Sequence, residues 1–300
     1  MCARDFHIKG VVLENIPMKR YTSMKVGGPV KYLIYPLDEA DLMATIAQLK
    51  QKGLRYRFFG NGTNIIVDDR GMNEALIRII RVSHVRHTAT ENGSLVDVSG
   101  GLSLKKFIKD EAKRRLSGLE RLYWIPGTVG GAIKMNAGSF GSYISDTLEE
   151  LRIINKQGEV KTKTKDRLSF GYRTSSLNAS ECVVSARFRL LVKDTKTIMK
   201  DMAYVYNERK KRHPMDFPSS GSIFKHVNGE PAWKFIEQSG LKGYRCGDAQ
   251  VSEKHANFIV NLGQARAEDI KRLIDTIKKE VFEKFGVALQ EEVELWGFDG

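Results

Sequence analysis

The pattern of apolar and polar positions divides the chain into three stretches of different texture. In the first, the apolar run VKYLIY from Val30 predicts a strand, and Leu42, Ile46 and Leu49, spaced four and three apart, predict a helix that stops at Gly53. The run YRFF from Tyr56 follows at once, so this stretch predicts a βαβ unit. NIIVDD from Asn64 and ALIRII from Ala75 are short, β-branched and bounded by glycine or asparagine, which predicts further strands. After about residue 85, SLVDVSGG reads as a strand, and Ser103 caps a helix with Leu104, Phe107, Ile108 and Ala112 on one face. A long glycine-rich stretch comes next, and a hairpin (LRIINKQGEVKTKT) and a long strand (CVVSARFRLL) close this part. The third stretch starts with a helix carrying Ile198, Met202 and Val205, and continues through a Pro/Ser/Gly loop, a helix opening at Pro231 and strands around Val251 and Phe258. Its last helix runs through Ile270, Leu273, Ile277 and Val281 to Gly286. These patterns predict an α+β fold in three parts, 1–85, 86–195 and 196–300.

Composition narrows the class. A chain of 300 residues exceeds what one hydrophobic core usually serves, and 41% apolar with 28% charged residues describes a folding globular protein. No apolar run approaches the roughly 20 residues of a membrane span, and the opening MCARDFHIKG lacks the apolar stretch of a signal peptide, so a cytoplasmic protein is expected. Cys2, Cys182 and Cys246 are odd in number and widely spaced, matching neither a disulfide framework nor a Cys-x-x-Cys motif, and no histidine pattern has metal-ligand spacing. Reduced thiols and no metal are expected. The formal charge of +13 favours anionic partners. Most basic residues are interleaved with acids, as in KDEAKRRL, and the cluster Arg209 to Arg212 lacks interleaved aromatics, so phosphate-bearing small molecules are expected rather than nucleic acid.

Candidate chemistry sits in the glycine-rich segments. Gly60-Asn61-Gly62-Thr63-Asn64 follows a strand, but Ile65 replaces the third glycine of a dinucleotide fingerprint and a strand follows, so this is no Rossmann loop. It is either an anion nest of backbone N–H groups, with Thr63 and Asn64 as donors, or a plain tight turn. The second segment runs Ile125-Pro126-Gly127-Thr128-Val129-Gly130-Gly131-Ala132, then Asn136, Gly138 and Gly141. Its glycines cost backbone entropy, which is consistent either with a surface loop or with backbone that approaches a ligand closely. Two such loops suit a ligand with two ends, such as a dinucleotide. Phe170 to Ser175 and Pro218 to Lys225 carry no nucleophile motif, and in Leu289-Gln290-Glu291-Glu292-Val293 an alternating strand turns one glutamate inward.

Together, YTSMKVGG, GNGTNIIVDD, GLERLYWIPGTVGGAIKMNAGSFG, FGYRTSS, PSSGSIFK, GLKGYRCGDAQVSEKHANFIVN and FGVALQEEVELWG resemble, collinearly from Tyr21 onward, the UDP-N-acetylenolpyruvoylglucosamine reductase family, in its shorter subclass. The resemblance implies two FAD-binding subdomains of the vanillyl-alcohol-oxidase type followed by a substrate-binding domain. It implies non-covalent FAD, NADPH as hydride donor, and reduction of UDP-N-acetylglucosamine enolpyruvate to UDP-N-acetylmuramate in peptidoglycan synthesis; a monomer is expected, although nothing in the sequence fixes the oligomeric state. By position it implies FAD contacts from Gly60, Asn61, Gly62, Thr63 and Asn64, from Ile125, Pro126, Gly127, Thr128, Gly130, Gly131 and Ala132, and from Asn136 and Gly138. The implied catalytic residues are Arg173 for the developing enolate, Ser222 as proton donor and Glu292 to hold the arginine or assist polarisation; Tyr172, Lys225, His226, Lys242 and His255 are implied for substrate. Two departures stand out: His226 where the family usually has asparagine, and Trp124 in place of a small residue. An FAD oxidase of the same fold would share both glycine segments without needing Arg173, Ser222 and Glu292. A non-catalytic binding protein has only the basic charge in its favour.

Overall fold

In the computed structural model, which describes residues 5–80, 84–155 and 157–298, the chain forms two units that are not contiguous in sequence. The first takes residues up to Glu14, Tyr32–Gly60 and Glu74–Asn207; the second takes Asn15–Lys31, Asn61–Asn73 and the chain from Glu208. The fold is α+β, with six α-helices among the described residues: α1 (Glu39–Gln51), α2 (Leu104–Lys113), α3 (Val129–Lys134), α4 (Thr195–Arg212), α5 (Ala232–Gln238) and α6 (Ala267–Phe285).

The first unit is built on an antiparallel sheet in the spatial order Val160–Thr164, Leu148–Ile154, Cys182–Val192, Gly93–Ser99, Val85–Thr90, with Leu116–Ser117 also pairing to Cys182–Val192. The Ser103 hydroxyl accepts from the Lys106 N–H and so starts α2, whose Leu104, Phe107 and Ile108 are buried in one core with Val96, Leu151 and Phe188. A second core in this unit joins Tyr32, Ile34, Ile77 and the α1 residues Leu42, Ile46 and Leu49.

A further sheet has the order Val11–Pro17, Pro29–Tyr35, Met72–Ile77, Tyr56–Phe58, and gives its residues 11–14, 32–35, 74–77 and 56–58 to the first unit. The two strands of the expected βαβ unit are therefore not neighbours. Met72–Ile77, mostly buried, lies between them and pairs parallel with the three half-buried residues Tyr56–Phe58.

The second unit carries an antiparallel sheet in the order Ser219–Ser222, Phe258–Asn261, Ala249–Val251, Arg245–Cys246, covered by α6. Ile270, Leu273, Ile274, Ile277 and Val281 line the buried face of α6, and Gly286 ends it at φ +66° with its N–H on the Phe282 carbonyl at 2.8 Å. Ile65–Val67 pairs parallel with Glu294–Trp296. Cys182 is buried and desolvation pushes its thiol up to about 12, which keeps it unreactive at neutral pH. Cys246 is half-buried, and Cys2 lies outside the described residues. Among the described residues no helix is long and apolar enough to cross a membrane.

Candidate active site

In the first unit Gly60, which opens the first glycine segment, meets the second segment. Gly60 is held by Arg78, whose Nε donates to its carbonyl at 2.9 Å, and a Cβ on Gly60 would lie 3.0 Å from the Thr128 hydroxyl oxygen. The glycine-rich stretch, which local pattern alone leaves as loop, forms α3. Thr128 is its N-cap, accepting from the Gly131 N–H at 3.2 Å. Backbone bonds from Leu104 to Gly127, Val129 to Leu102 and Gly130 to Gly100 sew this stretch onto the residues that lead into α2. Gly127 has φ +130°, a conformation an L side chain rarely adopts. At Gly130 a Cβ would press on the Gly100 carbonyl at 3.1 Å and on Val183 at 3.3 Å, so close packing is what demands glycine there.

Asn136 occupies a left-handed conformation, φ +41°, and is 4% exposed. Its Nδ2 donates to the Gly171 carbonyl at 2.9 Å, while its Oδ1 is buried with no hydrogen-bond partner. A buried acceptor of this kind is costly unless a ligand satisfies it. Gly138 faces the Tyr143 ring so closely, 2.4 Å for a Cβ, that a side chain does not fit without moving that ring.

The Asn136 bond also fixes the hairpin that carries Tyr172 and Arg173. Phe170–Gly171 pairs with Thr174–Ser175, and the Ser175 hydroxyl donates to the Lys134 carbonyl at 2.8 Å. Arg173 sits in the two-residue turn at φ +54°, its guanidinium 5.0 Å from the centre of the Tyr172 ring. Trp124, the departure noted above, adopts φ +71°, with the Lys105 ammonium over its ring and Tyr206 packed at 4.9 Å. Lys105 is held below the usual lysine range by desolvation, with Lys109 adding repulsion.

In the second unit Ser222, Lys225, Glu292 and Asn64 come together through backbone pairing. Ser222 ends a short strand opposite Phe258, after a register shift and Gly221 at φ +79°. The Ile223 carbonyl accepts from Glu292 N–H at 2.7 Å, Phe224 bridges Glu291, and Lys225 N–H donates to the Gln290 carbonyl at 2.9 Å. Glu292 is fixed from the other side as well, since Asn64 Nδ2 donates to its carbonyl at 3.1 Å. The expected alternating strand at 289–293 is not formed. Residues 286–290 are irregular, and both glutamates are half-buried rather than one pointing inward, Glu291 pairing with Lys278 at 2.8 Å. Asn61, Gly62 and Thr63 form the turn before Ile65–Val67, with Gly62 at φ +62° accepting from Ser23 N–H at 2.9 Å.

The remaining substrate candidates are spread over this unit. Lys225 is half-buried and His226 exposed, while Lys242 is in an ion pair with Glu237 at 2.7 Å. His255 packs between Phe258 at 4.9 Å and His213 at 5.5 Å. His213, which the sequence did not single out, is pushed down to about 3 by burial and then by Arg209, and burial also lowers His255. Below the ordinary histidine value the unfolded chain binds a proton that folded His213 refuses, so stability is lost as pH falls from about 6.5 toward 3, by up to about 1.4 kcal/mol per pH unit. His213→Phe is expected to flatten the fall in melting temperature between about pH 7 and 5; equal acid sensitivity in variant and wild type contradicts this. Thr128→Ala is expected to cost about 1 kcal/mol by loss of the cap, measured by denaturant unfolding; an unchanged unfolding midpoint contradicts this.

The chain is similar to known proteins over nearly its whole length. Residues 30–163 match the family model described as FAD binding domain, and residues 213–296 match that of the UDP-N-acetylenolpyruvoylglucosamine reductase C-terminal domain. The reductase of that name from Carboxydothermus hydrogenoformans is 40% identical over 291 residues, covering 97% of this chain and 95% of that protein. The one from Syntrophus aciditrophicus is 38% identical over 294 residues, covering 98% and 94%. The crystal structure of UDP-N-acetylenolpyruvylglucosamine reductase from Thermus caldophilus superposes with a TM-score of 0.80 at 35% identity, covering 96% of this chain and 99% of that one. The first unit fits non-covalent FAD: bare glycine backbone at Gly60 and Gly131 offers close approach, and the buried Asn136 Oδ1 is an acceptor that a ring N–H would satisfy.

Proposed function

The chain belongs to the UDP-N-acetylenolpyruvoylglucosamine reductase family, and from that premise we propose that it reduces UDP-N-acetylglucosamine enolpyruvate to UDP-N-acetylmuramate with NADPH, in the cytoplasm and as a monomer, for peptidoglycan synthesis. The observation that carries this reading is the backbone lattice that fastens Ser222, Ile223 and Glu292 to one another and Glu292 to Asn64. Bound FAD supplies the hydride relay from NADPH to the terminal enolpyruvyl carbon.

The protein's own groups manage the charge and the proton. As the carbon–carbon π bond opens, its electrons move to the neighbouring carbon and the attached carboxylate. The Arg173 guanidinium takes up that charge through charge-assisted hydrogen bonds, which are stronger than neutral ones and act with little reorganisation when the donor is held in place. The Ser222 hydroxyl gives its proton to the same carbon, completing the lactyl ether, and recovers a proton from solvent. Glu292 leaves a backbone that is bonded on both sides, so its carboxylate starts from a fixed point. Lys225, His226, Lys242, His255 and Tyr172 meet the rest of the substrate, and a net charge of +13 favours both nucleotide anions. In functional terms we divide the chain into FAD-binding subdomains 1–85 and 86–195 and a substrate-binding domain 196–300; the two cores of the first unit and the core of the second support the outline but not these bounds, since 15–31 and 61–73 pack into the second unit and Ile198 and Met202 into a core of the first.

The test is product identity. Mixed anaerobically with NADPH and UDP-N-acetylglucosamine enolpyruvate, the protein is expected to yield a product heavier than the substrate by one hydrogen pair, with one deuterium from heavy water at the carbon that bears the carboxylate. Recovery of the enolpyruvyl compound unchanged contradicts the proposal.

A further inference from the structure

Where the strand Ser219–Ser222 leaves its partner, a side chain takes over the role of the sheet. Ser222 pairs with Phe258, and the next N–H, that of Ile223, donates to the Asn257 carbonyl at 2.9 Å. One residue further on, the backbone of the partner strand has turned away. The Asn257 side-chain amide stands in for it: its Oδ1 accepts from Phe224 N–H at 2.9 Å and its Nδ2 donates to the Phe224 carbonyl at 2.8 Å. The residue is 5% exposed. Its own N–H donates to His255 Nδ1 at 3.3 Å, so the backbone that carries the amide is fixed in turn. On the opposite edge the segment is bonded to backbone alone, Ile223 to Glu292 and Lys225 to Gln290.

We propose that Asn257 is a positioning residue for the proton-donating serine: its amide sets the register of Ser222 to Lys225 and so aims the Ser222 hydroxyl. The role rests on the reductase reading given above. A four-residue strand with a register shift and a left-handed glycine has little hold on its own register. The amide supplies a donor and an acceptor at the spacing of one peptide unit. A carboxylate keeps only the acceptor, and an aliphatic side chain keeps neither, leaving a buried N–H and C=O to find other partners by shifting the segment.

The informative variant is Asn257→Asp. Ionised, the introduced carboxyl repels the Phe224 carbonyl; protonated, it regains a donor in the same place. At about pH 8 the variant is expected to be reduced by NADPH within about twofold of the wild-type rate, and to be reoxidised by saturating enolpyruvyl substrate about tenfold or more slowly. The deficit should shrink as the pH is lowered, relative to wild type at the same pH, a control that removes the titration of His255, His213, Glu292 and Lys225. Amide exchange at Phe224 should be faster in the variant at high pH. Asn257→Ala, which removes both bonds without adding a charge, should show a deficit that lower pH does not relieve. The proposal is overturned if the Asp variant matches wild type in reoxidation, slows both half-reactions alike, or shows no recovery at low pH. Should wild type not be reoxidised by this substrate, it is the reductase reading that fails; the exchange at Phe224 then decides, and unchanged exchange overturns the positioning role.

Discussion

Replacing Ser222 with alanine is expected to leave bleaching of the flavin by NADPH within about twofold of wild type while slowing its recolouring by the enolpyruvyl substrate about a thousandfold. The split follows from the proton-donor role proposed for the hydroxyl. Only the second half-reaction creates a carbon that needs a proton, and a positioned donor contributes on the order of a hundred- to ten-thousandfold to such a step. The backbone of the residue does not depend on its side chain, because Gly221, the pairing with Phe258 and the Ile223 bonds fix it. Alanine therefore removes the oxygen and little else. Stopped-flow absorbance at the flavin band reads both halves in one experiment. Equal slowing of the two would show that Ser222 matters for structure or for cofactor binding rather than for proton delivery.

Arg173→Ala is expected to lower turnover by about a hundredfold or more, again in the second half-reaction, since a preorganised cation is worth several kcal/mol only once negative charge has developed. Arg173 already sits at φ +54°, and a non-glycine residue there bears a cost of roughly 1–2 kcal/mol whether it is arginine or alanine. The hairpin remains tied by the Asn136 bond to Gly171 and the Ser175 bond to Lys134. The loss is thus chemical rather than conformational. Arg173→Lys keeps the charge without the planar fork and should recover only part of the rate. Steady-state rates at saturating substrate, with flavin content measured in the same samples, check this; unchanged turnover in the alanine variant removes Arg173 from the mechanism.

The sequence was most legible where a single face carries the information. The apolar stripe of α6 and its Gly286 stop, the cap at Ser103, and the antiparallel hairpin of Leu148–Ile154 and Val160–Thr164 all rest on local chemistry. It was least legible where tertiary contacts decide. Val85–Thr90 is exposed along nearly its whole length and has no buried face to give it a period; pairing with Gly93–Ser99 makes it a strand. Residues 129–134 contain two adjacent glycines, which disfavour helix, yet the Thr128 cap and the close seat of Gly130 against Val183 make one. That 15–31 and 61–73 fold with the chain from 208 onward is a long-range outcome that no local window contains.

The candidate site divides the same way. Glycines between apolar residues left two readings, a surface loop or backbone that approaches a ligand, and the buried Asn136 oxygen without a partner favours the second. The association of Ser222 with Glu292 was suggested only by family resemblance, because some seventy residues separate them and the link is the backbone pairing of residues 223–225 with 290–292. Asn257 could not be read at all. In HANFIVN it is one of three polar residues and sits in the turn before the strand Phe258–Asn261, and its significance is the geometry of two hydrogen bonds to Phe224.

The most direct measurement is the anaerobic visible spectrum of the purified protein, taken before NADPH, after it, and after UDP-N-acetylglucosamine enolpyruvate. A yellow protein that NADPH bleaches and the enolpyruvyl substrate recolours is the predicted result. Recolouring by oxygen alone, with the enolpyruvyl substrate inert, would contradict the reductase account and favour an oxidase on the same fold.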